Sequence, residues 1–318
     1  MRDYFKTLRS RPCALLIALL ASTFIAHGQF GGGTVLAWGD DTYGQTNVPA
    51  GLRNVVSLAA NSYYTLAVKS DGTVAAWGRF YSYYISLPPL FNVAAVAAGV
   101  NHSLALYQNG TIMGWGDNSN GQLDVPAGLN NVVGIRATQY NSYALKGDGT
   151  IAAWGPDAFG STQIPESLSN VVAIAAGTYF GLAVKCDGTV VPWGWGSAPG
   201  GLTNVVAVEA SDNGCLALNG DGTVVSWAND VPTNVVNAVG IAVGGGRSLV
   251  LKSDGTVVSW GADTYVPAGL SRGVGIAAGM AHAAAIVNAV TPLIFRQPFL
   301  SQTAVSYTHL TLPTKRIV

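Results

Sequence analysis

The chain has 318 residues, of which 49% are hydrophobic and 10% are charged, and it contains 40 glycines and three cysteines. Its sixteen basic residues balance its sixteen acidic ones overall, but residues 29–304 hold ten basic against fifteen acidic residues, a net charge of −5. An acidic surface repels phosphate backbones, so this composition argues against nucleic acid as a partner.

The first 28 residues have the pattern of a secretory signal peptide. A basic start (Arg2, Lys6, Arg9, Arg11) precedes an apolar stretch over 13–26 that is too short to span a bilayer. A small-x-small cleavage site follows at 26–28, so we expect the mature chain to begin near Gln29. The sequence therefore predicts a secreted or cell-surface protein without a membrane span.

A repeat of 33 to 39 residues organises the rest of the chain. It is marked by seven evenly spaced tryptophans: Trp38, Trp77, Trp115, Trp154, Trp193, Trp227 and Trp260. Each unit combines a short apolar run such as VVAIAA, a second apolar run, an Asp-Gly or Asn-Gly pair, and a Thr-Val-x-x-Trp-Gly segment. This pattern predicts three strands per unit, with a type I′ hairpin at the Asp-Gly pair and the tryptophan in the core.

The two ends of the repeat region complement each other. The mature chain opens on a third strand at 33–38, and the last unit supplies only a first and a second strand, at 274–278 and 283–287. An open solenoid would leave both half-units unpaired. We therefore predict an all-β fold, a monomeric seven-bladed β-propeller over 29–288, closed by the amino-terminal strand completing the last blade.

The carboxy-terminal residues are of two kinds. Residues 289–304 fit either a linker or the first strand of a truncated immunoglobulin-like domain, and the sequence leaves both readings open. Residues 305–318 resemble the translation of a sequencing-library adapter, so we exclude them from the fold as an artefact. The natural protein is then expected to be longer than this chain.

The repeats resemble the regulator of chromosome condensation family, in its short bacterial form. Residues 115–122 read WGDNSNGQ and residues 99–106 read GVNHSLAL, close to the family's two repeat phrases, and the resemblance covers 33–288. The phrase at 44–49 is also similar to secreted β-lactamase-inhibitory proteins built on a seven-bladed ring. That resemblance implies a face that contacts a protein target through aromatic loop residues. The nucleotide-exchange role of eukaryotic relatives is not implied for an exported, acidic chain.

Residues that could support catalysis are scarce. The mature chain has two glutamates, Glu166 and Glu209, in different units, and His102 and His282 share a repeat position that other residue types fill elsewhere. We therefore predict no catalytic residues, no metal site and no cofactor, and a protein that is not an enzyme. Cys186 and Cys215 occupy different repeat positions, and we do not expect them to form a disulfide.

The predicted binding face lies where the loops diverge. Consecutive strands run antiparallel, so the loop after the first strand and the loop after Trp-Gly open on one face. These loops are rich in aromatic residues, which make good contacts in binding loops on rigid scaffolds. The candidate binding residues are Tyr43, Tyr63, Tyr64, Tyr81, Tyr140, Phe159, Tyr179, Phe180 and Asp212.

We interpret this face as a site for recognition of an extracellular protein, with β-lactamase as one candidate target. The alternative is a carbohydrate-binding module of a larger protein, since tyrosines also stack on sugar rings and Asn101, Asn141, Asp212 and Asn213 could supply polar contacts. An extracellular hydrolase is the third hypothesis, and the scarcity of carboxylates and histidines argues against it.

Overall fold

The computed structural model describes residues 32–79, 86–227 and 229–288. The predicted signal peptide, the segments after residue 288 and Tyr81 lie outside these ranges. Within them the chain forms the following strands: β1 (Thr34–Gly39), β2 (Val55–Asn61), β3 (Tyr64–Lys69), β4 (Val74–Gly78), β5 (Val93–Ala98), β6 (His102–Tyr107), β7 (Ile112–Gly116), β8 (Val132–Ala137), β9 (Ser142–Lys146), β10 (Ile151–Trp154), β11 (Val171–Ala176), β12 (Phe180–Lys185), β13 (Val190–Gly194), β14 (Val205–Ser211), β15 (Gly214–Asn219), β16 (Val224–Ser226), β17 (Ala238–Gly244), β18 (Arg247–Lys252), β19 (Val257–Gly261), β20 (Gly273–Ala278) and β21 (His282–Val287).

These strands form seven antiparallel sheets of three strands each, the blades of the propeller. Blades 1 to 6 are consecutive triplets that begin with β2–β3–β4, and blade 7 is β20–β21–β1. Strand β1 pairs with β21 in unbroken register from Thr34↔Val287 to Gly39↔His282. The amino-terminal strand thus completes the last blade, as predicted, and the predicted all-β propeller architecture is confirmed.

Hydrophobic clusters join each blade to the next. The cluster between blades 7 and 1 packs Leu58 and Trp77 against Ala277, Ala284 and Ile286. Six of the seven repeat tryptophans are buried in such clusters, and Trp227 is half-buried. Alanines and glycines in the inner strands allow the strands to crowd near the axis, whereas the wider space between blades holds the indoles.

The hairpin turns differ from the type I′ prediction. In blade 1 the Gly72 N–H donates to the carbonyl of Lys69 at 2.9 Å, and the Lys69 N–H donates to Thr73 at 2.9 Å. Of the Asp-Gly pair, only Gly72 has a positive φ, +77°. The loop is therefore a three-residue turn with glycine in the left-handed region, which is the next most common hairpin. Asp71 instead accepts hydrogen bonds from the Thr73 N–H and hydroxyl, at 2.9 and 2.6 Å.

A left-handed residue before each inner strand was not predicted. Asparagine fills this position in six blades, with φ between 54° and 66°, and Arg272 fills it in blade 7 with φ 74°. Asparagine tolerates this conformation better than other residues with a Cβ. In blade 1, the Asn54 carbonyl also accepts the Ser70 N–H of the hairpin loop at 2.8 Å.

Candidate functional site

Two sets of loops meet on one face of the ring, which we call the upper face. One set follows the inner strands and the other follows the third strand of each blade. The backbone joins them directly: Asp40, Asp117 and Trp195 donate their N–H groups to the carbonyls of Ala281, Asn101 and Tyr179, at 2.8 to 3.0 Å. The hairpin turns lie on the opposite, lower face. This arrangement is the one predicted from strand alternation.

The repeat tryptophans fasten the upper loops to the blades. The indole N–H of Trp77 donates to the carbonyl of Gln45 at 2.9 Å, and that of Trp154 donates to Gln122 at 2.9 Å. Trp38 makes the same bond with Tyr265 at 2.9 Å, across the join between the chain's two ends. Trp193 and Trp227 make equivalent bonds to the carbonyls of Ser161 and Ser197, so an indole N–H holds five of the seven upper loops to a blade.

The glutamine of the Gly-Gln phrase is a structural residue. Gln45 is fully buried, its side-chain oxygen accepts the Tyr43 N–H at 2.8 Å, and its amide donates to Asp40 at 2.8 Å. Gln122 repeats this arrangement with Asp117 at 3.0 Å. This bracing explains why the phrase recurs: it holds the loop in which Tyr43 is presented.

Two of the predicted binding residues lie partly or wholly beneath the surface. Tyr64 is fully buried, and its hydroxyl donates to the carbonyl of Gly99 at 2.8 Å, so it cannot contact a partner. Phe180 is half-buried and packs against the cluster between blades 4 and 5. Both begin the middle strand of a blade, where the side chain turns under the loop. The inclusion of Tyr64 in the binding face was wrong, whereas that of Phe180, which is half-buried like Tyr63 and Tyr140, stays a prediction.

His102 and His282 occupy the same position in other blades and are fully buried. His102 Nε2 lies 3.0 Å from the Ser142 hydroxyl, and His282 Nε2 lies 2.8 Å from the Thr65 hydroxyl, each in the next blade. Burial lowers the pKa of each imidazole to about 4. Both histidines are neutral links between blades, in agreement with the structural role that the repeat predicted.

The inner strands enclose a central cavity of about 410 Å³ that opens among the upper loops. Arg136 of blade 3 and Glu209 of blade 5 form an ion pair across it at 2.6 Å, and burial lowers the pKa of Arg136. Nearer the rim, Asp212 accepts both the backbone N–H and the hydroxyl of Thr178, at 2.6 and 2.8 Å. Asp212 therefore joins two blades, although its side chain remains at the exposed rim.

One cluster of aromatic residues lies at the join between the chain's ends. The rings of Tyr43 and Tyr63 are 4.6 Å apart, and the Arg79 guanidinium lies 5.1 Å from the centre of the Tyr43 ring. The Tyr63 hydroxyl lies 3.9 Å from the sulfur of Met280. Tyr43 is exposed and Tyr63 is half-buried, so this cluster offers a partner a limited apolar area.

A second cluster, which we call the aromatic trio, consists of Phe159, Tyr179 and Trp195. The Phe159 and Trp195 rings stack with centroids 4.4 Å apart and planes 10° apart, and Tyr179 meets Phe159 edge-on at 5.2 Å. The exposed fractions are 59%, 36% and 71% in chain order. The trio brings together two of the candidate binding residues and Trp195, an aromatic residue that the sequence also places in the loops of this face although it is not among the nine candidates.

A sequence signal for Trp195 did exist. It is the second tryptophan of Trp193-Gly194-Trp195, and it falls outside the repeat position. The loop geometry places it, because the Trp195 N–H donates to the Tyr179 carbonyl at 3.0 Å. The remaining predicted residue, Tyr140, is half-buried and accepts the side-chain N–H of Gln139 at 2.7 Å.

Metal and thiol chemistry find little support in the described part of the chain. No group of three or more His, Cys, Asp or Glu side chains comes together there. Cys215 is a free, buried thiol whose pKa burial raises to about 12, so it is not bonded to Cys186. Across the same residues, no helix has the length and apolar character required to cross a membrane.

The comparisons with known proteins agree with this fold. The regulator of chromosome condensation (RCC1) repeat matches residues 93–122, which comprise blade 2 and the loop to Gln122. No curated protein sequence matches the chain. The predicted resemblance to this repeat family is thereby confirmed, whereas the likeness to β-lactamase-inhibitory proteins stays a prediction.

Several solved structures share the ring at low sequence identity. Human WBSCR16 is 18% identical with a TM-score of 0.63, over 80% of this chain and 99% of that one. Saccharomyces cerevisiae Prp20p, described by its binding to Gsp1p and histones, is 17% identical with a TM-score of 0.63, over 90% and 95%. The ectodomain of the Arabidopsis thaliana receptor kinase ACR4 is 17% identical with a TM-score of 0.61, over 75% and 97%. At these identities the likeness concerns the fold.

Proposed function

We propose that this RCC1-type propeller is an exported protein-binding module whose upper face recognises its partner through aromatic side chains. The fold supports the general class, because RCC1-type rings include proteins described by their protein partners, such as Prp20p. Export is inferred from the signal-peptide pattern of residues 1–28.

The observation that carries the proposal is the exposure of the aromatic trio. Trp195 and Phe159 stack on each other in solvent, with 71% and 59% of their surfaces exposed. Tryptophan and tyrosine are over-represented among the residues that dominate binding energy at protein interfaces. Because the ring fixes the loops that present them, ordering these side chains upon binding costs little conformational entropy.

The buried residues of the repeat argue for binding rather than catalysis. His102 and His282 are neutral and inaccessible. The carboxylates of Asp40 and Asp117 hold their own loops by hydrogen bonds, and that of Asp212 holds the Thr178 loop of the neighbouring blade. A general acid or base must instead reach the substrate. We therefore favour non-enzymatic recognition.

Carbohydrate binding is the second candidate, and the central cavity is the observation that favours it. The cavity of about 410 Å³ is lined at its mouth by Asn101, Gln139 and Asn213. Amide side chains at the mouth of a cavity could hydrogen-bond sugar hydroxyls, and Tyr63 stands beside them.

The test compares three baits on proteins from the organism's culture medium. The first is the full chain, and the second carries Phe159→Ser, Tyr179→Ser and Trp195→Ser. The third, a matched control, carries Phe91→Ser and Val236→Ser, which remove two exposed apolar side chains (64% and 51%) from the lower face. A protein captured by the first and third baits but not the second supports the proposal.

Equal capture by all three baits would exclude the trio from the interface. A glycan array probed with the same three proteins tests the second candidate. Retention of a glycan by all three, lost on Asn101→Ala and Asn213→Ala, would place recognition in the cavity instead. Urea unfolding of each bait shows that the substituted surfaces leave the ring intact.

A further inference from the structure

Charges are distributed unequally between the two faces of the ring. On the lower face, four lysines each pair with the aspartate two residues later, as in Lys69–Asp71 at 3.0 Å and Lys146–Asp148 at 2.8 Å. Arg53 and Arg272 precede inner strands on that same face. The positive charge of the lower face therefore at least balances its aspartates.

The upper face is acidic. Seven aspartates lie within four residues of a strand end on this face: Asp40, Asp41, Asp117, Asp157, Asp212, Asp230 and Asp263. Two of the upper arginines are taken up in ion pairs, Arg136 with Glu209 and Arg247 with Asp263. The third basic side chain among the described residues of this face is Arg79. The face thus presents a negative potential to an approaching protein.

The trio lies within this acidic face. Its three loops, residues 155–163, 177–180 and 194–201, contain no lysine, arginine or histidine. Asp157 is two residues from Phe159, and Asp212 is bonded to Thr178, the neighbour of Tyr179. Backbone and side-chain hydrogen bonds from Thr162 and Gln163 hold the pKa of Asp157 below its usual value. The rings are therefore flanked by carboxylate charge.

Phe159 has a backbone conformation that is unusual for a residue with a side chain. Phe159 has φ 58° and ψ 29°, in the left-handed region, which costs a residue with a Cβ about 1 kcal/mol. In the loops that follow β1, β7 and β10, the glycine at one shared position (Gly44, Gly121 and Gly160) has positive φ. The residue before it has positive φ only at Phe159 and not at Tyr43 or Asn120. A side chain that is both strained and exposed contributes little to the fold, so a role in binding accounts for it better.

The nearby polar groups are already engaged, which bears on the chemistry of the ligand. Asp157 accepts from Thr162 and Gln163, at 2.6 to 3.1 Å, and Asp212 accepts twice from Thr178. A sugar needs several directed hydrogen bonds beside the stacking ring, and these carboxylates already spend much of their acceptor capacity within the protein. A cation needs only the electron-rich ring face and the surrounding negative charge.

We infer that the aromatic trio docks a positively charged segment of the partner protein, with an arginine or lysine side chain against the open face of Trp195. Phe159 covers one face of the indole, and the 71% exposure of Trp195 leaves the other accessible. The inference rests on the proposed protein-binding function and specifies the partner's chemistry. Asp157 and Asp212 supply attraction at longer range, and the trio supplies the contact.

The test uses fluorescein-labelled octapeptides and fluorescence anisotropy with the full chain at low ionic strength. The probes are (Gly-Arg)4, (Gly-citrulline)4, which keeps the planar side chain without its charge, and (Gly-Glu)4. We expect only the first to bind measurably. Trp195→Leu should weaken its binding by about fivefold, because the cation–π contact is lost while an apolar side chain remains.

The matched control variant is Tyr265→Leu. Tyr265 is 60% exposed on the same acidic face but lies outside the trio, so its replacement should change (Gly-Arg)4 binding by less than about twofold. Equal binding of the arginine and citrulline peptides would overturn the inference. Equal weakening of (Gly-Arg)4 binding by Trp195→Leu and Tyr265→Leu would also overturn it, because the peptide would then bind the acidic face without a specific contact to the trio.

Chitohexaose is the sugar arm of the same experiment. If Trp195→Leu abolishes chitohexaose binding while (Gly-Arg)4 binds the parent and the variant alike, the trio is a sugar platform and the inference is wrong. Failure here remains distinguishable from failure of the proposed function. A protein captured through the trio in the pull-down, but no arginine-specific binding, would leave protein recognition standing with a partner that is not basic.

Discussion

Trp38→Ala tests whether the amino-terminal strand is an integral part of the ring. Trp38 is buried in the cluster shared by blades 6 and 7, and its indole donates to the Tyr265 carbonyl at 2.9 Å. Replacing a buried tryptophan by alanine costs about 3–5 kcal/mol, and the lost hydrogen bond is part of that cost. We expect the free energy of unfolding to fall by about 4 kcal/mol.

The assay is urea unfolding of the full chain, followed by far-ultraviolet circular dichroism so that the signal does not depend on tryptophan. The comparison variant is Trp154→Ala, which makes the equivalent change in blade 3 and removes a bond to Gln122 at 2.9 Å. The two losses should agree within about 2 kcal/mol, which is the usual spread for one kind of large-to-small core substitution. If Trp38→Ala costs less than a third of Trp154→Ala, strand β1 does not complete the ring.

Three further results are expected from stability measurements. Arg272→Asn should raise the free energy of unfolding by about 0.5–1 kcal/mol, because asparagine tolerates φ 74° better; no gain in urea unfolding would contradict this. His102 and His282 have pKa values of about 4 in the folded protein, below the usual 6.5 of histidine, so the unfolded chain binds more protons between these pH values. The stability that the two neutral histidines provide is fully present above pH 6.5 and is lost as the pH falls towards 4. Replacing both by glutamine should therefore make the melting temperature less dependent on pH in that window. Glu209→Ala should lower the free energy of unfolding by about 3 kcal/mol, because Arg136 stays buried without its main counter-charge. The double replacement of Arg136 and Glu209 by alanine should recover much of that loss. A double variant as unstable as the single one would show that charge pairing is not the cause.

The blade count and the order of strands could be predicted because their signals are local and recur along the chain, the tryptophan seven times and the hairpin pair six times. An Asp-Gly or Asn-Gly pair, an apolar run and a tryptophan recur at nearly the same spacing, so the clear repeats show how to assign the strands of an ambiguous one. The pairing of β1 with β21 followed from counting strands at the two ends. The prediction of a type I′ hairpin was wrong, although glycine does occupy the left-handed position of the turn. The Asp71 side chain accepts hydrogen bonds from Thr73 in a three-residue loop.

The binding face was harder to predict, as the pair Tyr63 and Tyr64 shows. Both are tyrosines in one loop phrase, yet Tyr63 is half-buried at the cavity mouth and Tyr64 is fully buried. Successive side chains at a strand end point in opposite directions, and a shift of one residue in the strand boundary exchanges them. Composition alone cannot decide which of these two tyrosines is exposed to solvent.

The sequence by itself determined the period, the strand types, the tryptophan core and the closure of the ring. All of these depend on short-range patterns that each blade repeats. Tertiary structure alone decided that the side chains of Phe159, Tyr179 and Trp195 meet. The trio joins residues from different loops. Their proximity depends on how the blades are arranged about the axis, which no single repeat encodes.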